Sequence, residues 1–262
     1  MSRPVLTRDE RRAFARAMEV RRLHPKLWHF SYWSCLNNRA AFDQFFRELM
    51  ARKTGVPARI LDIGCGFKPW LTAIRENGAA QQVSFLGTDF SAEWSDADSI
   101  ALADALPMAD GCVDGIILSE VVEHCPRPRE VLGEAIRILK PGGVLLVTTP
   151  FVFPEHGVPY DFQRLTQYFY RDVFRDHEIL RLSPSNCQFT TPLACFSAAL
   201  DSSPFSRVPA LPDLIYLGLN TMILIAEKSL EWIGPRVMRS WRDVFYTMPM
   251  GYAVVIRKRN GG

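Results

Sequence analysis

The sequence has few of the features that mark disulfide-bonded, zinc-bound or repetitive proteins. Its six cysteines are scattered, and none forms a Cys-x-x-Cys pair, so neither a zinc site nor a disulfide framework is indicated. It shows no internal repeat and no low-complexity segment. Scattered thiols in an ordinary domain are typical of a reducing compartment, and we expect a cytoplasmic protein. The cysteines are Cys35, Cys65, Cys112, Cys125, Cys187 and Cys195.

Long apolar stretches are also missing. The start, MSRPVLTRDERRAFARAMEV, has no apolar core of the signal-peptide type. The most apolar run, LIYLGLNTMILIAEKSLEWIG, contains Asn220 and Thr221 and is interrupted by Glu227. Its uninterrupted part is shorter than the roughly 18–20 residues that a membrane span needs. Two predictions stay open for it, a buried packing helix and an interfacial helix that makes a peripheral contact at the inner membrane face.

An excess of one charge is absent from the whole chain but present in its first part. The net charge of the 262 residues is +3, and 48% hydrophobic with 23% charged residues is typical of one globular domain. Residues 1–60 hold thirteen Lys or Arg and five Asp or Glu, a balance of +8 that leaves −5 for the remainder. This basic region is either a solvated helix face or a surface that meets an anionic substrate or membrane.

Helices are predicted for the first 57 residues, which we interpret as a helical cap on a domain over residues 58–262. Thr7 and Glu10 have capping-box spacing, and a short amphipathic helix with Phe14, Ala17 and Met18 on its apolar side is predicted after them. A second helix is predicted to open at Asn37 or Asn38, with a core-facing stripe of Phe42, Phe45, Phe46, Leu49 and Met50. An aromatic cluster lies between the two predicted helices and consists of Trp28, Phe30, Tyr32 and Trp33. It is interpreted either as core packing or as a lid that excludes water from the site.

From residue 59 the pattern alternates between strands and helices. Helices are predicted over about 67–77 and 129–139, and LKPGG reads as a helix stop followed by a tight turn. Continuous apolar strands of this kind suit a parallel sheet covered on both faces, the doubly wound α/β class. The predicted strands are RILDIG, VSFLGTD, SIALAD, VDGIILS and VLLVTTP.

After the fifth strand, FVFPEHGVPYDFQRLT is predicted to be a loop, QYFYRDVFRDH a helix and EILRLSP a strand. The final strand is GYAVVIRKR. A helical insert over about 190–248 is predicted to precede this last strand.

A Gly-x-Gly turn directly follows the first predicted strand. Gly64 and Gly66 fill two positions of the dinucleotide fingerprint, but Pro69 stands where its third glycine belongs. Asp62 precedes the turn, and its carboxylate would repel a pyrophosphate and attract a cofactor that carries an ammonium and a sulfonium. The turn therefore favours such a cofactor over a dinucleotide.

Two further acids end the next two predicted strands. Asp89 ends VSFLGTD, where an acid can accept two hydrogen bonds from a ribose diol. Asp104 ends SIALAD, where an adenine amino group could be read. The carboxyl ends of parallel strands share one edge of the sheet, where such folds bind ligands. These acids and the glycine turn together indicate a cofactor that contains adenosine; ordinary strand-end acids are the alternative.

The segments ILDIGCG, GTDFS, ADALPMADGCVDGIILSEVVEHC and RILKPGGVLLVTTP resemble the class I S-adenosylmethionine-dependent methyltransferases that act on small molecules. The resemblance covers residues 59–150 and the final strand. It implies a Rossmann-like seven-stranded sheet of order 3-2-1-4-5-7-6 with an antiparallel last strand, and S-adenosyl-L-methionine as cofactor. The glycine turn would line the methionine part, Asp89 the ribose, Asp104 with Ala105 the adenine, and Ser119 would pass close to the sulfonium. The cofactor-binding residues so implied are Asp62, Gly64, Cys65, Gly66, Asp89, Phe90, Asp104, Ala105, Ser119 and Glu120.

The loop after the fifth strand is similar to a His-x-x-Pro-Tyr-Asp-x-x-Arg segment in methyltransferases of polysaccharide and lipid-linked glycan biosynthesis. Here Gly157 adds one residue to that spacing. The helical insert also fits that group. The resemblance implies a hydroxyl acceptor on a small molecule, a sugar or a lipid-linked glycan.

Methyl transfer to a hydroxyl needs positioning of two reactants and a base for the hydroxyl proton. His124, His156, Tyr160 and Asp161 are the candidate bases, and Arg164 is a candidate clamp for a phosphate or carboxylate of the acceptor. The alternatives are that His124 supports the cofactor loop, that the other loop residues order the loop itself, and that Arg164 pairs with Asp161. We expect a metal-independent reaction.

Three other functions stay open at this point. A nicotinamide oxidoreductase shares the fold class, although Pro69 and Asp62 argue against it. A module that binds the cofactor without catalysis and regulates a partner enzyme is a second alternative. A nucleic-acid methyltransferase is a weaker one, because SEVVEH stands where amino-methylating enzymes carry Asn/Asp-Pro-Pro-Tyr/Phe/Trp. We therefore expect no nucleic-acid partner.

Overall fold

The computed structural model describes residues 21–29, 31–52, 56–93, 95–201, 210–237 and 245–259, together with residues 7, 9, 10 and 13. Thr7 and Glu10 form the predicted capping box, because the Thr7 amide donates to Glu10 Oε2 at 2.8 Å and the Glu10 amide donates to Thr7 Oγ1 at 3.3 Å. The predicted apolar side of the following helix, at Phe14, Ala17 and Met18, lies outside the described residues, as does Phe30.

A seven-stranded sheet forms the centre of the fold, and its order β3-β2-β1-β4-β5-β7-β6 confirms the prediction. Neighbouring strands from β3 to β5 run parallel, whereas β7 is antiparallel to both β5 and β6. The strands are β1 (Ala58–Ile63), β2 (Val83–Asp89), β3 (Ser99–Ile100), β4 (Val113–Ser119), β5 (Leu139–Pro150), β6 (Glu178–Pro184) and β7 (Gly251–Arg257).

Helices cover both faces of this sheet. They are α1 (Tyr32–Met50), α2 (Pro69–Glu76), α3 (Pro128–Ile138), α4 (Gln167–Val173), α5 (Thr191–Asp201) and α6 (Leu211–Val237). Short 3-10 turns span Ala80–Gln82 and Val122–His124.

The sheet separates two apolar layers. Leu61 of β1 shares one buried cluster with Leu132 of α3, whereas the adjacent Ile60 shares the other with Phe42 of α1 and Trp70 of α2. Neighbouring strand residues serve different layers because successive side chains point to opposite faces. Each such side chain contributes about 1.5–3 kcal/mol when it is fully buried. The two layers hold the carboxyl ends of the strands at one fixed edge.

Helix α1 begins earlier than the sequence predicts. It starts at Tyr32, so Asn37 and Asn38 lie inside the helix and are buried. Asn37 Nδ2 donates to the carbonyl of Ser183 at 3.1 Å, and Asn38 Nδ2 donates to Glu120 Oε1 at 3.2 Å. The prediction of a helix start at these residues was wrong because their amides bond to the sheet and its loops, not to a helix terminus.

Strand β5 also begins earlier than predicted, since LKPGG belongs to the strand and not to a turn. Leu139 pairs with Val113, and an irregularity in register separates this pair from the pair of Gly115 with Val144. Gly142 takes a positive φ of 73° there, and its amide donates to the carbonyl of Lys258 at 2.8 Å. The glycines thus mark a bulge within a strand.

Strand β3 is shorter than the predicted SIALAD. It pairs with β2 only at Ser99 and Ile100, and the chain then forms a turn in which the Ala105 amide donates to the carbonyl of Leu102 at 3.1 Å. Asp104 therefore lies in this turn and does not end a strand.

The predicted helical insert contains α5 and α6. Trp33 of α1 lies in a third buried cluster with Ala194 of α5 and Ile223 of α6, which matches core packing for this member of the aromatic cluster. Asn220 Nδ2 donates to the carbonyls of Leu27 and His29, at 2.7 and 2.9 Å. Within the described parts of the chain, no helix combines the length and apolar content that a bilayer crossing needs. The domain boundary at residue 57 stays a prediction.

Candidate active site

The glycine turn after β1 is held by the end of β2. The amides of Gly64 and Cys65 both donate to the carbonyl of Thr88, at 2.8 and 3.0 Å, and the Gly66 amide donates to Asp89 Oδ2 at 3.0 Å. A Cβ on Gly64 would lie 2.4 Å from Val121 Cγ2, whereas one on Gly66 would meet nothing within 4 Å. The turn is therefore packed at Gly64 and open at Gly66, where a ligand could approach the backbone.

Asp62 is buried at the end of β1 without a compensating charge in contact. Its side chain is 1% exposed, and Oδ2 has no hydrogen-bond partner among the described residues. Burial raises the pKa of Asp62 to about 8, with a smaller contribution in the same direction from the nearby Asp89. A buried carboxylate is stable only when it is paired or protonated. The ammonium of S-adenosylmethionine would supply the missing charge, so these residues fit the cofactor that the resemblance implies.

The carboxylate of Asp89 binds the glycine turn and can still accept hydrogen bonds from a ligand. Its Oδ2 accepts from Gly66, and its Oδ1 is 3.4 Å from the amide of Ser91. A carboxylate has about four lone-pair sites, so both oxygens can still accept from a ribose diol. The next residue, Phe90, is 61% exposed, and its ring centroid lies 6.0 Å from that of Tyr160.

Asp104, which the resemblance assigns to the adenine, already has a partner within the protein. Asp104 Oδ2 accepts a hydrogen bond from Arg127 at 2.6 Å, and Ala105 lies in the same turn. Asp104 keeps one carboxylate oxygen outside this bond, so its role at the adenine stays a prediction.

Ser119 and Glu120, at the end of β4, form a network with residues that the sequence analysis did not identify. Thr148 Oγ1 is 3.0 Å from Ser119 Oγ and donates to Glu120 Oε1 at 2.9 Å. Asn38 donates to the same Glu120 oxygen. Glu120 has a positive φ of 58°, a strained conformation that persists only where its surroundings enforce it. No sequence signal separates Asn38 from an ordinary polar residue of a helix.

The loop over residues 151–166, here called the β5 loop, is ordered by an ion pair. Arg164 Nη1 and Nη2 bind Asp161 Oδ1 and Oδ2 at 2.6 and 2.8 Å, and Asp161 Oδ2 also accepts from the His156 amide at 2.9 Å. The guanidinium of Arg164 holds the pKa of Asp161 well below its usual range. Asp161 is therefore a poor proton acceptor, and the structure favours pairing with Asp161 over a free clamp as the interpretation of Arg164.

Two of the predicted bases meet beside an acid that the sequence analysis missed. His124 and His156 have ring centroids 4.8 Å apart, and their Nε2 atoms lie 3.6 and 3.7 Å from Glu123 Oε1. Glu123 is fully buried, and neither of its carboxylate oxygens has a hydrogen-bond partner among the described residues. Its position in SEVVEH, directly before His124, was the available signal. These three residues are called the Glu–His cluster.

Burial and charge shift all three groups of the Glu–His cluster. Burial raises the pKa of Glu123 to about 7 and lowers the pKa of His124. The neighbouring carboxyl group of Glu123 raises the pKa of His156. The cluster therefore contains groups that can exchange a proton near neutral pH.

Tyr160 contributes its backbone to this arrangement. The His124 Nδ1 atom lies 2.5 Å from the carbonyl oxygen of Tyr160, to which it donates, so His124 Nε2 keeps its lone pair. The side chain of Tyr160 is 54% exposed. The structure thus brings all five predicted catalytic residues together at the end of β4 and in the β5 loop.

Solved structures with this fold include methyltransferases. A complex of the Haloferax volcanii Trm112 methyltransferase activator with a putative methyltransferase superposes with a TM-score of 0.52 at 18% identity, covering 98% of this chain and 99% of that one. The CurJ carbon methyltransferase superposes with a TM-score of 0.52 at 12% identity, covering 92% of this chain and 61% of that one. At these identities, the likeness shows the fold alone.

Curated relatives share part of the sequence. Methyltransferase GfsG of Streptomyces halstedii is 31% identical over 136 residues, 45% of this chain and 49% of the relative. A malonyl-[acyl-carrier protein] O-methyltransferase of Enterobacter lignolyticus is 32% identical over 126 residues, 46% of this chain and 49% of the relative. The matches thus span about half the length of these relatives. The family model described as a methyltransferase domain matches residues 32–183, more than half of the chain. The chain therefore belongs to this methyltransferase family and is a class I enzyme that uses S-adenosylmethionine.

Proposed function

We propose that the enzyme methylates a hydroxyl oxygen of a small-molecule, sugar or lipid-linked glycan acceptor. Bound S-adenosylmethionine supplies a methyl group that its sulfonium already activates. Asp62, the glycine turn and Asp89 hold this cofactor in the proposal, at the carboxyl edge of the sheet. The acceptor enters from the β5 loop, which follows β5 at the same edge of the sheet.

The Glu–His cluster is the observation that carries the proposal. An acceptor hydroxyl becomes a nucleophile as it loses its proton, and a histidine near neutral pH is suited to receive that proton. His124 and His156 are each partly exposed, with 27% and 31% of their side chains accessible, while Glu123 behind them is fully buried. An acceptor can therefore reach the imidazoles, and the buried acid adds negative charge that supports a transferred proton.

The β5 loop supports the glycan part of the proposal. Tyr160 and Phe90 present exposed rings at the rim of the site, and apolar ring faces of this kind pack on the C–H faces of sugars. Asp161 and Arg164 hold the loop in place beside them. One partial relative is named an O-methyltransferase, and another, from rice, is named a sterol C-methyltransferase at 28% identity over 42% of this chain. The test must therefore distinguish methylation on carbon from methylation on oxygen.

A peripheral membrane contact belongs to the same proposal. Helix α6 buries Tyr216, Asn220 and Ile223 on one side, and its opposite side presents a stripe of exposed apolar residues. Such a face suits an interfacial helix that meets a lipid-linked acceptor. The stripe consists of Leu214, Met222, Ile225 and Trp232. Flotation with anionic vesicles tests it: wild type is expected to float and Ile225→Ser with Trp232→Ser to remain in solution, and wild type that stays in solution contradicts the contact.

The methyl acceptor is tested with methyl-labelled S-adenosylmethionine and an extract of the source cells, separated into lipid, water-soluble, protein and nucleic-acid fractions. We expect label in the lipid or saccharide fraction. The His156→Gln variant is expected to reduce this label at least tenfold. His177→Gln is the matched control, because His177 lies beyond α4 and outside the Glu–His cluster.

Mass spectrometry of the labelled product then assigns the methylated atom. An O-methyl group supports the proposal, and a C-methyl group overturns it while leaving the cofactor assignment intact. Label confined to protein or nucleic acid overturns the acceptor class.

A further inference from the structure

We propose that Glu123, His124 and His156 form a binding site for one divalent transition-metal ion. The expectation from sequence was a metal-independent reaction, and Glu123 was not among the candidate residues. The two histidines are 32 positions apart. Folding brings one ligand atom from each residue within 4.8 Å of the others. This inference concerns the binding of an ion and does not require the proposed acceptor.

Glu123 Oε1 is spaced from each imidazole nitrogen like two ligands of one ion, and all three donor atoms lie within 4.8 Å of one another. Metal–ligand distances of about 2.0–2.2 Å place two ligands of a tetrahedral ion roughly 3.3–3.6 Å apart. Glu123 Oε1 lies 3.6 Å from His124 Nε2 and 3.7 Å from His156 Nε2. These separations are too long for hydrogen bonds and close to those of a shared coordination shell.

The opposite nitrogens of both imidazoles are occupied in the way metal-binding histidines require. A ligating histidine usually donates its other N–H to a carbonyl or carboxylate, which fixes the ring and its tautomer. His124 Nδ1 donates to the carbonyl of Tyr160 at 2.5 Å, and His156 Nδ1 lies 3.3 Å from the carbonyl of Pro154. Both Nε2 lone pairs are therefore directed to the space beside Glu123.

The buried acid is the second, independent observation. Glu123 is 0% exposed, and both of its oxygens lack a hydrogen-bond partner among the described residues. A cation bound between Glu123 and the two imidazoles would pair with this buried carboxylate, which no described residue does. Glu120, whose Oε1 is held by Asn38 and Thr148, adds a further acidic group close to the site.

The ligand set indicates the class of ion. Two imidazoles and one carboxylate suit Zn²⁺, Fe²⁺ or Mn²⁺ and leave coordination positions open. The partial exposure of both histidines places these open positions towards solvent. If the proposed O-methylation is correct, an acceptor oxygen would occupy one of them, and the ion, which takes up both Nε2 lone pairs, would then favour loss of the hydroxyl proton to solvent in place of the imidazoles. This role rests on that proposal, whereas ion binding does not.

The test titrates the 262-residue chain, without an affinity tag, with Mn²⁺ followed by electron paramagnetic resonance and with Zn²⁺ followed by calorimetry. Chelator-treated wild type is expected to bind one equivalent of at least one of these ions. His124→Gln and His156→Gln are expected to weaken that binding more than tenfold, and His177→Gln to leave it unchanged. The two cluster variants act at partly exposed side chains, and far-ultraviolet circular dichroism checks that they fold.

The readout separates this inference from the proposed function. Equal affinity in all four proteins, or no saturable binding of either ion up to millimolar concentration, overturns the metal site. Label on carbon or in the nucleic-acid fraction overturns the O-methylation proposal but leaves a measured binding constant standing.

Discussion

Gly157 lies against the imidazole of His124, so close that the loop can pass only without a side chain at this position. A Cβ built on Gly157 would be 2.8 Å from His124 Cε1, and the residue has a positive φ of 66°. The residue that departs from the resembling loop pattern is thus the one that brings the β5 loop onto the end of β4.

The substitution Gly157→Ala is expected to displace the β5 loop or turn the His124 ring. Turnover should fall at least tenfold, because reactive groups that move by about 1 Å lose alignment. Binding of S-adenosylhomocysteine, measured by calorimetry, should stay within about twofold of wild type, since the glycine turn is on another strand. Gly133→Ala is the control: a Cβ there meets nothing within 4 Å on a helix. Equal turnover of both variants would contradict this contact.

The buried carboxyl group of Asp62 is expected to make the cofactor-free enzyme less stable as pH rises. Its pKa is about 8 in the folded protein, against 3.8 for an aspartate in water, so the folded state holds the proton more tightly. The stabilisation is complete below pH 4 and is lost as pH rises towards 8. Asp62→Asn should remove this slope of the unfolding free energy against pH, which for a difference of about four pKa units amounts to several kcal/mol.

The same variant should weaken S-adenosylmethionine binding at least tenfold at pH 8, because it removes the charge that faces the ammonium. Chemical denaturation from pH 5 to 8.5, without and with cofactor, measures both effects. Parallel pH profiles for wild type and Asp62→Asn would rule out the buried charge as their cause.

The two glycines of the turn are expected to respond differently to alanine. Gly64→Ala places a Cβ 2.4 Å from Val121 at a φ of 70°, and it should cost about 2–4 kcal/mol of stability. Gly66→Ala meets open space, and its cost should be about 1 kcal/mol, from its positive φ alone. Gly66→Ala should nevertheless weaken cofactor binding, since its methyl group would occupy the open side of the turn. Urea unfolding and calorimetry distinguish the two effects.

The sheet was predictable because its determinants are local. Each central strand of the parallel sheet is a short apolar run, and the glycines and acids that follow it end the run visibly. Pro69 and Asp62 already disfavoured the nicotinamide oxidoreductase, and the family match decides for a methyltransferase. The prediction of a turn at LKPGG was wrong. Gly142 and Gly143 are typical of a turn, but the pairing of Leu139 with Val113 keeps the chain in the sheet.

The polar contacts of the site were not predictable, because they join distant segments. Asn38 resembled a helix start, yet its amide reaches Glu120 across 82 positions. Glu123 resembled one polar residue among several, and only the approach of the β5 loop places His156 beside it. Sequence spacing identifies residues at one sheet edge, but it does not say which side chains are left without partners there.

The hydrogen bond from Asn38 is expected to hold the carboxylate of Glu120 in place and thereby to stabilise the folded enzyme. Asn38→Asp puts a carboxylate beside Glu120 Oε1, and like charges at hydrogen-bond distance should destabilise the enzyme by about 1–3 kcal/mol. Asn38→Ala should cost less, because Thr148 still donates to the same oxygen. The order of the two variants in thermal unfolding checks the contact, and a larger loss for Asn38→Ala would refute it.

The ion pair of Arg164 and Asp161 is expected to govern the acceptor side of the site alone. Arg164→Lys keeps the charge but removes the paired bonds to the two Asp161 oxygens, which a single ammonium cannot replace. Asp161 has 4% of its side chain exposed, so the weakened pairing should loosen the β5 loop. The KM for the acceptor should rise about tenfold, because the loop orders only at a cost in binding energy.

Asp161→Asn is the companion change. It removes the negative charge, but the side-chain oxygen of the asparagine can still accept the hydrogen bond from the backbone amide of His156. Both variants should bind S-adenosylhomocysteine with affinities within about twofold of wild type. Initial rates against acceptor concentration, with the cofactor saturating, separate KM from kcat. A defect confined to kcat with an unchanged KM would place Arg164 in the chemical step; a defect in cofactor binding would connect the β5 loop to the glycine turn, which the observed contacts of Arg164 do not reach.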